Sequence, residues 1–223
     1  MCARYVSKAT AEWERWFQRR FRVDFASYNI VPTQSAPIVR AGTEDGELLR
    51  FGLVPFFCRG AKPKNPNINA TVERLVDAPS WRGPWKRGQR CLVIANGFYE
   101  PHVEPDGRRR PFYIHLAYRE AFAFAGIWDR SVADDGTAIE SFAIITLPAS
   151  PLMASIHNDK QRMPAILAAQ DHEQWLSGSI EAARDALKPC PDDLLVTWPV
   201  STRVNQSNQN DAELILPMEP SYS

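Results

Sequence analysis

Four short apolar runs, residues 91–95, 111–117, 121–127 and 141–147, occupy the middle of the chain, with turn-forming residues between them. Runs of this length, rich in Val, Ile, Phe and Tyr, read as strands. Parallel neighbours need a long crossover, usually a helix, and no helical period separates these runs. The order therefore favours an α+β fold built on a largely antiparallel, curled sheet. Helical signals lie towards the ends. Trp13, Trp16, Phe17 and Phe21 recur on one face of residues 10–21, with Glu12, Glu14, Arg15 and Arg19 on the other. That spacing predicts an amphipathic helix with its aromatics in the core. Residues 171–176 and 180–187 read as helices and 194–200 as a late strand. A hairpin is expected over 37–54, turning at Glu44-Asp45-Gly46, then a Pro- and Asn-rich loop over 62–69 and a short helix over 71–77.

The 223 residues suffice for one well-buried core. Lys plus Arg and Asp plus Glu balance at 26 each, which argues against a bulk polyanion binder; any nucleic-acid contact needs a local patch. Arg108-Arg109-Arg110, Lys62, Lys64, Lys86, Arg87 and Arg90 could supply one. Trp81 and Trp85 near these charges could stack on bases, though packing is the more ordinary use of them. The first 25 residues hold Glu12, Glu14, Arg15, Arg19 and Arg20 and no long apolar run, so neither a secretory signal nor a membrane span is expected. A cytoplasmic protein with reduced thiols fits that reading. The four cysteines form no CxxC and no zinc spacing, and GxGxxG, GxxxxGK[ST] and HExxH are absent. Neither a metal nor a cofactor is expected.

Cys2 carries the most chemistry. A small second residue normally allows the initiator Met to be removed, which would leave a thiol and a free α-amine on one residue. Such an aminothiol can attack a carbonyl with nitrogen and close a five-membered ring with sulfur, or act as an N-terminal nucleophile. An α-amine titrates near roughly 7.7–8.0, so a useful fraction is neutral at pH 7, unlike an ordinary Lys near about 10.4.

Further segments place polar residues where a core prefers apolar ones: Asn67 to Glu73, Ile94 to Pro101 and Ile156 to Pro164, with Tyr28 to Pro32 as a weaker piece. Each has an ordinary alternative: Asn69 as a turn residue, Glu100 as a cap or Arg partner, His157 as a satisfied histidine. Together, a nucleophile, a carboxylate, an imidazole and an amide are the parts needed to activate an amine, move protons and orient a carbonyl.

In order, MCARY, YNIVP, NINATVE, ANGFYEP, IH…RMP and the late NDAELI stretch resemble the SRAP (SOS-response-associated peptidase-like) family over nearly the whole chain, roughly residues 2–216. The resemblance implies one compact domain, with residues 217–223 as a tail, around a bifurcated, mostly antiparallel sheet or small barrel with peripheral helices. It implies a sensor of abasic sites in single-stranded DNA, acting as a monomer and associating with the nucleoid when bound. Cys2 would trap the ring-opened sugar as a thiazolidine crosslink. Asn69 would position Cys2 or the sugar, Glu100 would move protons, and His157 would assist Schiff-base formation and reversal. Arg4, Asn29 and Arg162 would contact the DNA backbone or line the site. Three differences from the family pattern are visible: Ala3 stands for Gly, Thr71 for a phosphate-contacting Arg that Arg74 could replace, and four residues rather than one separate His157 from Arg162. The peptidase label would amount at most to removal of Met1. Two other readings stay open: an N-terminal-nucleophile glutaminase using Cys2 with Asn96-Gly97 in an oxyanion hole, and a non-catalytic single-strand binding module.

Overall fold

The computed structural model describes residues 2–22 and 24–218. In chain order the elements are β1 (Arg4–Lys8), α1 (Trp13–Phe17), β2 (Ala26–Ile30), β3 (Ser35–Arg40), β4 (Glu47–Phe51), β5 (Asn69–Thr71), α2 (Pro79–Lys86), β6 (Arg90–Ala95), β7 (Gly97–Val103), β8 (Arg109–Leu116), β9 (Phe122–Val132), β10 (Ala138–Pro148), α3 (Pro151–Ile156), β11 (Arg162–Pro164), β12 (Ile166–Leu167), α4 (His172–Ser177), α5 (Ile180–Asp185) and β13 (Leu195–Pro199). Strands β4, β3, β6, β9 and β10 pair in that order, and β10 returns to β4, closing a barrel. A second sheet runs β13-β8-β7-β1-β2. The contacts of β10 with β4 and β5 are parallel; the other strand pairings are antiparallel. The expected α+β architecture, a bifurcated and mostly antiparallel sheet with small helices around it, is the one observed.

The central barrel strands β6, β9 and β10 are apolar on both faces over most of their length because both are covered. In β9, Phe122 to Ile127 are buried without a break, and β10 is buried from Ser141 to Leu147. Tyr5 of β1 packs edge-on against Phe51 and Phe124, joining the second sheet to this core. The C-terminal segment lays Val200, Val204 and Leu214 against Val6, Tyr99 and Tyr113, forming a smaller cluster.

Several expectations needed correction. The helix expected over 10–21 contracts to α1. Gln18 turns left-handed at φ 51°, and Arg20 then exchanges backbone hydrogen bonds with Glu44 and Gly46. Trp13 and Phe17 are buried, and Trp16 and Phe21 pack beside them. The helix expected over 71–77 is a single 3-10 turn, Val72–Arg74. The real helix is α2, whose Gly83 and Pro84 look like turn residues in the sequence; it buries Trp81 and Trp85 in the core rather than offering them to bases. Arg90 is buried too, its guanidinium donating to the Gly178 carbonyl beside Trp175, so it belongs to no surface patch. Of the expected tail, residues 219–223 lie outside the described residues, as does Met1.

The apolar run expected over 91–95 is β6, and a second strand follows it almost at once. Only Asn96 separates β6 of the barrel from β7 of the second sheet. Gly97 is required there by space: a Cβ would sit 2.3 Å from the Tyr113 ring and hydroxyl. Gly97→Ala should therefore destabilise the fold by about 1–3 kcal/mol, the usual cost of overpacking, which thermal or denaturant unfolding will register. An unchanged unfolding midpoint would show that Tyr113 moves aside without cost.

Candidate active site

The strand switch delivers the chemistry. β1 runs antiparallel to β7 with Arg4 opposite Tyr99 and Tyr5 opposite Phe98, so the chain ahead of Arg4 passes alongside Glu100. Cys2 is fully buried, and its carbonyl accepts a hydrogen bond from Asn69 Nδ2 at 3.1 Å. Asn69 is held by β5, opposite Ile144 of β10. Its Oδ1 is buried and has no hydrogen-bond partner among the described residues.

His157 caps the C-terminal end of α3, a helix started by Pro151 and by the Ser150 hydroxyl, which accepts from the Met153 amide. The imidazole Nδ1 lies 2.9 Å from the Arg162 carbonyl. A carbonyl only accepts, so Nδ1 carries the hydrogen and Nε2 is the basic nitrogen. Glu100 Oε2 lies 3.7 Å from Nδ1, and Asp159 Oδ1 lies 3.4 Å from Nε2. Glu100 and His157 are each 1% exposed. A cleft of about 340 Å³ opens above them, lined by Ala3, Arg4, Glu100, His157, Asp159 and Lys160, with Tyr99, Arg109 and Asn205 among its walls.

The remaining predicted residues split into supporting and separate ones. Arg4 lines the cleft, donating to Asn29 Oδ1 at 3.1 Å and to the Asn205 carbonyl at 2.7 Å. Asn29 is buried, and its amide nitrogen reaches the carbonyls of Val204, Gln206 and Gln209; it holds Arg4 and the 204–209 segment together. The Arg162 guanidinium makes a two-pronged pair with Glu73 and donates to the Thr146 carbonyl, while its own carbonyl orients His157. Arg74 is apart from the cleft, exposed, and 3.8 Å from Asp77. Arg108, Arg109 and Arg110 each pair with a carboxylate: Asp106, Asp159 and Glu104 respectively.

Electrostatics suit proton transfer. Burial, with the charge of Asp159 adding to it, pushes the Glu100 carboxyl up to about 7. Burial pulls His157 below its ordinary value, while the Arg162 carbonyl and Asp159 work in the other direction. Glu100 can thus hold or give a proton near neutrality, where general acid–base catalysis is most effective, and the His157 imidazole lies beside it. Burial, and then the charge of Glu100, hold the Cys2 thiol well above its usual range. The sulfur therefore stays protonated until a step consumes that proton.

The model of the family described as SOS response associated peptidase (SRAP) matches residues 1–207. The chain belongs to the SRAP family. The Bacillus subtilis abasic site processing protein YoqW is 31% identical over 194 residues, covering 85% of each chain. The mouse abasic site processing protein HMCES is 28% identical over 233 residues, covering 86% of this chain and 65% of its own. A crystal structure of a Bacteroides thetaiotaomicron protein superposes with a TM-score of 0.86 at 26% identity, covering 98% of this chain and all of that one. A Bordetella bronchiseptica structure gives 0.80 at 25% identity, covering 90% and 100%.

Within this SRAP chain, sequence reasoning passed over Asp159 and Lys160 as site residues. The signal was the lengthened His157–Arg162 spacing, since extra residues between two site groups must lie beside both. Asn96 turns out to be structural. Its Oδ1 accepts from the Lys8 amide, its Nδ2 donates to the Glu120 carbonyl and its own amide donates to Val6. These bonds give Asn96 a structural role that needs no oxyanion hole, the role the glutaminase reading assigned it. No group of three or more His, Cys, Asp or Glu able to hold a metal is found among the described residues, and no described helix is long and apolar enough to cross a membrane.

The raised Glu100 carboxyl has a measurable cost. From its ordinary 4.5 to about 7 the folded chain holds a proton that the unfolded chain has released, so stability falls as pH rises through that interval. Glu100→Gln removes the charge. It should stabilise the protein by roughly 3 kcal/mol above pH 7, with the gain fading to nothing below about pH 4.5. Denaturant unfolding across pH measures this; a variant less stable than wild type at pH 8 would contradict the assignment.

Proposed function

We propose that this chain processes abasic sites in single-stranded DNA by trapping them covalently on Cys2. The observation that carries the reading is the buried Glu100–His157 pair set beside Cys2 at the floor of an open cleft, in a chain whose relatives are named abasic site processing proteins. Removal of Met1 frees the Cys2 α-amine. An abasic sugar is mostly a closed hemiacetal. Its C1′–O4′ bond breaks as O4′ takes a proton from His157 and the C1′ hydroxyl gives one to Glu100. The amine adds to the aldehyde, forming a carbinolamine. Water then leaves with the proton on Glu100, and nitrogen returns a proton to His157, giving the imine. Finally sulfur adds to the imine carbon and the thiol proton passes to nitrogen, closing the thiazolidine. Each assisted transfer is worth typically 10²–10⁴-fold.

Asn69 fixes the Cys2 backbone and offers its buried Oδ1 to the new amine. Arg4, held by Asn29, meets a phosphate beside the lesion, and Arg74 meets the strand farther out, in place of the Arg that Thr71 replaces. Arg162 acts mainly through its carbonyl on His157, with its guanidinium framing the site against Glu73. The protein works as a cytoplasmic monomer that joins the nucleoid when bound, and needs no cofactor.

Cys2 variants provide the test. Cys2→Ser and Cys2→Ala keep the amine, so each should form an imine with abasic single-stranded DNA that borohydride traps and denaturing electrophoresis without borohydride does not retain. The wild type should give a stable band in both conditions. A stable, wild-type yield from Cys2→Ala without borohydride would place the nucleophile elsewhere.

A further inference from the structure

Four residues separate His157 from Arg162, and the fold pins them rather than letting them hang free. Asn158 Oδ1 accepts from the Val103 amide and its Nδ2 donates to the Val103 carbonyl, both at 2.9 Å, so one side chain completes the end of β7. Asp159 Oδ2 accepts from Arg109 of β8 at 3.0 Å, and Oδ1 faces His157 Nε2 at 3.4 Å. Gln161 takes φ 51° to bring the chain back to β11. The loop thus holds one carboxylate between the buried imidazole and an arginine of the neighbouring strand.

The orientation gives this contact a sign. His157 Nδ1 already donates to the Arg162 carbonyl, so a proton gained by the ring goes to Nε2. A carboxylate facing Nε2 repels the lone pair of the neutral ring and attracts the N–H of the charged one. We propose that Asp159 is a positioning residue that keeps His157 able to carry a proton at Nε2, and so makes the imidazole the acid of the abasic-site reaction. This rests on the function proposed above. The charged or titratable groups of the described residues around the ring are Glu100 on β7, Asp159 and Lys160 on its own loop, Cys2 ahead of β1, and Arg4 of β1 in the cleft wall. Arg109 of β8 reaches the ring through Asp159. Of the loop charges, Asp159 favours the protonated ring and Lys160 opposes it, with burial the larger influence against it.

Variants of opposite sign separate this role from simple support of the loop. Asp159→Asn should lower the His157 titration midpoint, read by NMR with the His157 resonance assigned from its loss in His157→Gln. A drop of about one pH unit is expected, the low end for a charge within roughly 4–6 Å. Lys160→Gln and Arg109→Gln should raise the midpoint, the first by removing a repelling charge, the second by freeing the Asp159 charge. At a pH above the midpoint and with saturating abasic DNA, Asp159→Asn should crosslink about tenfold more slowly than wild type, the factor that one pH unit of lost protonation gives. Midpoints that all shift in one direction, or an Asp159→Asn midpoint equal to wild type, would overturn the proposal. A wild type that forms no adduct overturns the proposed function instead, while the titration still decides what Asp159 does to the ring.

Discussion

A single residue, Asn96, separates two strands that belong to different sheets, and the site depends on that crossing. β6 ends in the wall of the barrel and β7 begins in the second sheet, so Glu100 is carried in four residues from the core to the floor of the cleft. Asn96 makes the crossing possible by bonding Lys8, Glu120 and Val6 in place of the ladder partners it lacks. Gly97 makes it tight, since Tyr113 occupies the space a side chain would need. β1 then pairs with β7 and brings Cys2 to the same place.

The junction also explains the chemistry. Where two sheets diverge, their strand ends are covered on several sides yet open at one edge. Glu100 and His157 lose water and therefore lose their preference for the charged form, the carboxyl upward and the imidazole downward. Burial thus works on the two groups in opposite directions, in each case against the charged form. Their ionisation destabilises the fold, and a chain selected for stability alone would place apolar residues there.

Much of this was legible in the sequence. The four central runs gave the antiparallel sheet, and polar residues set in segments where a core prefers apolar ones marked Glu100, His157 and Asn69; the first two line one cleft, and Asn69 bonds the Cys2 carbonyl. Local pattern misled where tertiary contacts decided. Residues 10–21 have a helical face, but the pairing of Arg20 with the Glu44–Gly46 turn draws the chain away after Phe17. No helix was expected over 79–86, where Gly83 and Pro84 interrupt any helical pattern, yet Trp81 and Trp85 are buried on one there. The crossing at Asn96 left no periodic mark because both flanking strands are apolar. Asn29, read as a possible DNA contact, spends its amide on backbone carbonyls far along the chain, which no local pattern encodes. Asp159 needed the fold as well: spacing shows that the loop is long, and only the structure shows it tied to β7 and β8.

The central claim is that the α-amine and thiol of one residue, Cys2, capture the abasic aldehyde together. Peptide mass mapping of the adduct tests it most directly. After nuclease and trypsin treatment of wild-type protein reacted with abasic single-stranded DNA, the account predicts a sugar-phosphate remnant on Cys2-Ala3-Arg4, with Met1 absent and the mass increase reduced by one water. A remnant found on a lysine, or on a peptide that retains Met1, would contradict it.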